Sequence, residues 1–254
     1  MLNPAVGSFV WHDLLSNDVA KAKRFYAELL GWEYQIEHAT DFVWQPGEAD
    51  YPLIWSHGEA HGGFVDSGQN MPSHWVAYVA VEDVDAVAMR AKVLGATVVR
   101  EPFDTPGVGR SAVIQDFQGA ILCPHMATHN FPPPRGTFVW DELITEDVEQ
   151  AKVFYSKLFD CQANSIAREP LGSYATFKGV DYTDEIGAIT RSLGGSAVWV
   201  TYLATADVHA SVAKAKNLGA IVYIKATDVP KVGQFAVLAD PTGAVFGLLA
   251  RHES

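Results

Sequence analysis

Apolar residues recur along this chain with two alternating periods. Between residues 19 and 30, Ala22, Phe25, Tyr26 and Leu29 fall three or four apart, which makes one apolar stripe of a helix. Asn17 or Asp18 can cap its start and Gly31 can end it. A second stretch, from Asp83-Val84 to Leu94-Gly95, reads the same way. A strand is expected before each, over Phe9–Leu15 and His74–Val81. Two or three more strands follow each helix, separated by turn residues such as TPGVGR (105–110) and DFQGA (116–120). The unit is strand, helix, three strands.

The second half of the chain repeats the first. Trp140 and Phe154-Tyr155 stand 129 positions after Trp11 and Phe25-Tyr26. Trp199, Asp207, Gly233, Asp240 and Gly243 stand 124 after Trp75, Asp83, Gly109, Asp116 and Gly119. The five-residue change falls in hairpin territory, where insertions cost little. Four strand–helix–strand units therefore make two tandem domains, expected at 1–128 and 137–254. The proline-bearing segment HNFPPPRG (129–136) is the linker between them.

Composition narrows the setting. The 254 residues are 48% hydrophobic, enough for the core of two domains. The net charge is −12, which repels phosphate backbones and argues against nucleic acid. No apolar run reaches the roughly 20 residues of a membrane helix. The N-terminal residues show no secretory signal, and two cysteines make no disulfide framework. A cytoplasmic protein, monomer or homodimer, is expected.

A curled sheet of this kind packs one face on helices and wraps the other around a cavity. Strand alternation then sorts the residues. Phe9, Trp11 and Asp13 are expected in the first cavity, with Val10, His12 and Leu14 toward the helix. His74, Val76 and Tyr78 share a face, as do Ile121, Cys123 and His125. The second cavity is expected to hold Phe138, Trp140 and Glu142, then Val198, Val200 and Tyr202, then Val245, Gly247 and Leu249.

The pattern Asp18-Val19-(x)5-Phe25-Tyr26-(x)3-Leu30-Gly31, followed by Asp116-(x)2-Gly119, resembles the vicinal oxygen chelate superfamily. That group includes glyoxalase I, bleomycin- and fosfomycin-resistance proteins and extradiol dioxygenases. The resemblance covers nearly the whole chain. The repeated Phe-Val-Trp-x-(Asp/Glu)-Leu strands are similar to those of two-domain bacterial glyoxalase-like proteins. It implies an α+β fold of four βαβββ modules, and a divalent metal held by His or Gln on a first strand and Glu on a last strand. Counted from the motifs, those positions are Trp11, Val76, Trp140 and Val200, then Cys123 and Gly247. Indole N–H donates only, and valine and glycine offer no ligand. No cofactor is therefore expected, although the resemblance implies a divalent metal. His74, Cys123 and His125 are an alternative metal set, because imidazole and thiolate suit zinc or iron.

Asp13 and Glu142 occupy matched positions two residues after the tryptophans. A carboxylate in an apolar pocket has its pKa raised, which suits general acid or base work. The bland alternative is a carboxylate bonded to backbone or to a partner such as Arg110. Trp11, Tyr78, Trp140 and Tyr202, with His74, Cys123 and His125, are the candidate ligand-binding residues. Two functions follow. One is a metal-free protein that binds a small, planar or aromatic molecule. The other is a lyase, isomerase, hydroxylase or dioxygenase of the same superfamily.

Overall fold

The computed structural model describes residues 6–41, 44, 47–68, 71–129, 135–168, 172–179, 188–191 and 196–252. Residues 130–134 of the expected linker fall outside these. The first half runs β1 (Phe9–Ser16), α1 (Val19–Leu30), β2 (Glu33–Thr40), β3 (Glu48–Ser56), β4 (Glu59–Asp66), β5 (His74–Ala80), α2 (Val84–Val93), β6 (Thr97–Thr105), β7 (Gly109–Gln115) and β8 (Ile121–Ala127). The second half repeats it: β9 (Phe138–Thr145), α3 (Val148–Phe159), β10 (Cys161–Arg168), β11 (Gly172–Gly179), β12 (Ala188–Arg191), β13 (Val198–Ala204), α4 (Val208–Asn217), β14 (Ile221–Val229), β15 (Gly233–Ala239) and β16 (Val245–Arg251). The architecture is α+β, with four βαβββ modules as the repeats imply.

Each half forms one eight-stranded mixed sheet. The first has the order β2-β3-β4-β1-β5-β8-β7-β6 and the second the order β10-β11-β12-β9-β13-β16-β15-β14. At the centre β1 runs antiparallel to β5, while β4 and β8 flank them in parallel. Each helix begins on an aspartate, Asp18, Asp83, Asp147 or Asp207, whose side chain accepts the N–H three residues on. Gly31 takes the left-handed conformation (φ 74°) that ends α1.

The two halves share their cores. Ala22, Phe25, Tyr26 and Leu29 of α1 pack in one cluster with Leu203, Val208 and Phe246 of the second half. Val84, Val87 and Ala88 of α2 pack in another with Phe154, Tyr155 and Leu158 of α3. The helix-bearing faces of the sheets therefore meet each other, and the opposite faces point outward. At the meeting surface His12 lies against its own duplicate position, Asp141. Its Nε2–H donates to both carboxylate oxygens, at 2.9 and 3.1 Å, and its ring stacks on Phe138 with centroids 4.2 Å apart. Both side chains are buried.

The Phe-Tyr and Asp-x-x-Gly motifs meet across the same surface. Tyr155 of α3 accepts from Trp199 Nε1 (3.1 Å) and donates to Asp116 Oδ2 (2.8 Å) in the turn after β7. Gln118 of that turn accepts from Thr145 Oγ1 at 2.6 Å. In the mirror arrangement Tyr26 accepts from Trp75 Nε1 (3.0 Å) and faces Asp240. Asp240 Oδ1 accepts the Thr242 and Ala244 N–H groups at 2.7 and 3.1 Å. Tyr155→Phe is expected to cost about 2 kcal/mol, because a buried hydrogen bond to a carboxylate is lost and the Trp199 N–H loses its acceptor. Urea unfolding at neutral pH measures it; a change below about 0.5 kcal/mol removes this bond as an interdomain lock.

A bulge shifts the register between Phe9 and Trp11, so the alternation expected at the start of β1 fails there. Phe9 joins the cluster between the halves, tilted against Trp199, and Val10 joins the outer face. The repeat obeys the same rule: Phe138 packs between the halves and Val139 outward. From Trp11 and Trp140 onward the expected alternation holds.

Candidate functional site

The outer face of the first sheet gathers around Asp13, which is 1% exposed. Its neighbours on β1 and β5 are set by alternation: Trp11 and Leu15, Val76 and Tyr78 share its face. Four side chains donate to the carboxylate. Tyr51 Oη reaches Oδ1 at 2.5 Å and Tyr78 Oη reaches Oδ2 at 2.6 Å. Trp44 Nε1 donates to Oδ2 at 3.0 Å and Trp11 Nε1 to Oδ1 at 3.2 Å. The indoles also reach the phenols, Trp11 to Tyr51 at 2.9 Å and Trp44 to Tyr78 at 3.1 Å.

Burial raises the Asp13 carboxyl above its ordinary range, and the four donors pull it partly back. Burial and then the neighbouring Asp13 push the phenols of Tyr51 and Tyr78 well up, so both keep their protons. Trp11, Trp44 and Tyr51 are only half-buried and form the aromatic rim.

The second sheet repeats the arrangement around Glu142. Tyr174 Oη donates to Oε2 at 2.6 Å, and Trp140 Nε1 donates to Tyr174 Oη at 3.2 Å. Tyr202 sits beside Glu142; burial, then that carboxylate, drives its phenol up.

The register also tests the fit to a metal. Tyr78 pairs with Cys123, and by the same geometry Asp13 pairs with Gly63 on β4. In the second half Tyr202 pairs with Gly247 and Glu142 with Ala188. By the resemblance and this register, the metal-ligand positions would be Trp11, Gly63, Val76 and Cys123 in one sheet, and Trp140, Ala188, Val200 and Gly247 in the other. A Cβ at Gly63 would overlap the Tyr51 ring, and one at Gly247 would overlap the Tyr202 ring. The tyrosines thus fill the space a glutamate would need. The residues present do not fit the superfamily's metal.

The alternative set fails on distance. His74 stands four positions before Tyr78 on β5, roughly 13 Å along the strand from Cys123. His125 lies beyond Cys123 on the other side, so the three side chains do not converge. His74 bonds the Pro72 carbonyl at 2.8 Å and stands outside the Asp13 cluster. Among the described residues no three of His, Cys, Asp and Glu could hold a metal ion. Cys123 is fully buried and its thiol is pushed well up by burial. His125 packs edge-on to Tyr78 and bonds Ser111 Oγ at 2.9 Å; burial lowers it to about 4. Arg110 does not serve Asp13: it pairs with Asp85 and Asp104.

Sequence reasoning missed Tyr51, Trp44 and Tyr174. Trp44, a tryptophan in a glycine- and proline-bearing loop, carried the one visible signal. A separate polar groove of about 650 Å³ runs past Asn17, Lys21, Asp66 and Thr242, where α1 meets the turn after β15. It holds none of the matched residues.

Comparison with known proteins agrees with this fold. Residues 10–123 match the family described as "Glyoxalase-like domain". The protein called "Putative glyoxylase CFP32" of Mycobacterium tuberculosis is 32% identical over 94% of this chain and 93% of its own. The anthracycline biosynthesis protein DauV of Streptomyces sp. strain C5 is 29% identical over 98% of this chain and 95% of its own. The Mn(II)-bound glyoxalase from Novosphingobium aromaticivorans superposes with a TM-score of 0.64 at 14% identity, over 98% of this chain and 84% of that one. With its four modules and this relationship, the chain belongs to the glyoxalase-like family of the vicinal oxygen chelate superfamily.

Proposed function

We propose that this protein binds a small, planar organic molecule against the aromatic rims of its outer faces, without the divalent metal of its superfamily. Its two domains span 1–128 and 137–254, and it works in the cytoplasm as a monomer or homodimer. The observation that carries the reading is the duplicated acid–tyrosine–tryptophan cluster, whose Trp11 and Trp140 stand at positions the resemblance gives to metal ligands. Indoles and phenols offer flat, low-entropy surfaces for stacking. Two relatives named for anthracycline biosynthesis support an aromatic ligand class.

Titration with planar aromatics is expected to quench tryptophan fluorescence saturably, and Trp11→Phe to reduce the quenching. Protein purified without chelators or an affinity-tag metal is expected to carry no stoichiometric divalent ion. A tightly held equivalent of metal, or no quenching across a broad panel, overturns the reading.

Catalysis is the second reading, and burial of Asp13 favours it. A carboxyl held above its ordinary range can keep a proton for a ligand that displaces one of its donors. Asp13→Asn and Glu142→Gln, assayed across pH on any turnover found, decide it. Unchanged rates remove both residues from a mechanism.

A further inference from the structure

The two outer faces, alike at their acids, differ at position 100 and its duplicate. Arg100 on β6 pairs with Val113, which is buried in the Asp13 face, so its side chain shares that face. Its guanidinium lies over the Phe103 ring, 3.7 Å from the centroid, and Phe103 packs on the same cluster. The group is half-buried, and its electrostatic neighbours are Tyr78, Cys123 and Asp41. Among the described residues it makes no hydrogen bond and no ion pair. Asp41 Oδ1 instead accepts the Gly47 N–H at 2.6 Å. The other cations nearby are committed: Arg110 to Asp85 and Asp104, and Lys92 to Glu101.

An arginine held beside an apolar face with its donors unused is placed for a planar anion, since a carboxylate matches its fork with two parallel bonds. In the second half the duplicate position is Ile224, which pairs with Val237 and packs in an apolar cluster. Phe103 and Ser111 are likewise exchanged there for Thr227 and Phe235. The C-terminal face offers no cation at that place.

We propose that Arg100 makes the N-terminal face selective for aromatic carboxylates, with the ring stacked on the tryptophan–tyrosine rim and the carboxylate on the guanidinium. This rests on the aromatic-binding reading above, and the duplicate face lacks a cation at the matching position, Ile224.

The probes are 2-naphthoate and 2-naphthamide, equal in shape and different in charge, titrated at neutral pH by tryptophan quenching and by calorimetry. The acid is expected to bind at least about tenfold more tightly than the amide, with one acid-selective site per chain, because charge-assisted bonds exceed neutral ones. Arg100→Leu is expected to erase the preference and leave the amide's affinity within about twofold; Arg100→Lys retains part of it. Thermal melts of both variants confirm folding, and the unchanged amide affinity reports an intact face. Equal affinity for acid and amide in the wild type, or a preference that survives Arg100→Leu, overturns this inference and leaves the binding reading standing. If neither probe binds, the binding reading falls and this inference with it.

Discussion

His12→Ala is expected to destabilise the protein by about 3 kcal/mol, because a buried carboxylate is left without its hydrogen-bond donor. The change strips the Asp141 carboxylate of its partner where both groups are 4% exposed. It also removes the ring stacked on Phe138. In a chain this size such a loss lowers the melting temperature by roughly 10 °C. Asp141→Asn, which keeps an acceptor for Nε2–H, is expected to cost less. The double replacement His12→Leu with Asp141→Leu is expected to recover much of the loss, because no polar group is then left unpaired. Urea unfolding of the four proteins measures these differences. Equal losses for His12→Ala and the double variant contradict the pairing. The location explains why the pair exists at all. Positions 12 and 141 are duplicates that face each other between the halves. In a symmetric dimer of one module pair, both would be histidine or both aspartate, and like groups would meet in a buried site. Fusion into one chain lets the two copies diverge into base and acid.

The fold was legible because its signals are local and repeated. Aspartate caps and helical stripes mark the four helices, glycine follows three of them while α3 ends on Asp160, and the offsets of 129 and 124 identify the copies. Alternation placed Trp11, Asp13, Val76, Tyr78 and Cys123 on one face correctly. It failed at Phe9 and Phe138, where a bulge inserts a residue that no local composition announces. Pairing across long sequence separations was not legible. Tyr51 and Trp44 reach Asp13 from 38 and 31 residues away, and nothing near Asp13 encodes them. His12 was expected against a helix, whereas its partner lies 129 residues away in the other half. Cys161 is half-buried where the first half has Trp32; burial lifts its thiol to about 11. The smaller side chain stands beside a cavity of about 20 Å³ against Phe177 and Trp199.

Asp13→Asn is expected to change the pH dependence of stability in a direction fixed by burial. The groups facing Asp13 are the neutral phenols of Tyr51 and Tyr78, the indoles of Trp11 and Trp44, and the thiol of Cys123, with Arg100 farther along the face. Desolvation is the largest influence, so the folded carboxyl titrates above its ordinary value of 3.8. The folded state therefore holds this proton more tightly than the unfolded chain does. Its contribution to stability is full below about pH 4 and is lost as the pH rises through the raised folded value. Asparagine carries no such titration. The stability of wild type relative to Asp13→Asn is thus expected to fall as the pH climbs from about 4, then level off once the folded carboxyl has ionised. Asp13→Ala probes the bonds rather than the charge. It leaves two phenols and two indoles without their shared acceptor, at about 1–3 kcal/mol for each group that finds no other partner. Since Trp11 can still reach Tyr51 and Trp44 can still reach Tyr78, the expected total is about 3 kcal/mol rather than four full penalties. Denaturant melts from pH 4 to 8 on all three proteins measure both effects. A gap between wild type and Asp13→Asn that widens in favour of wild type with rising pH means the donors outweigh desolvation, and Asp13 is then an ordinary ionised carboxylate with no proton to hold for a ligand.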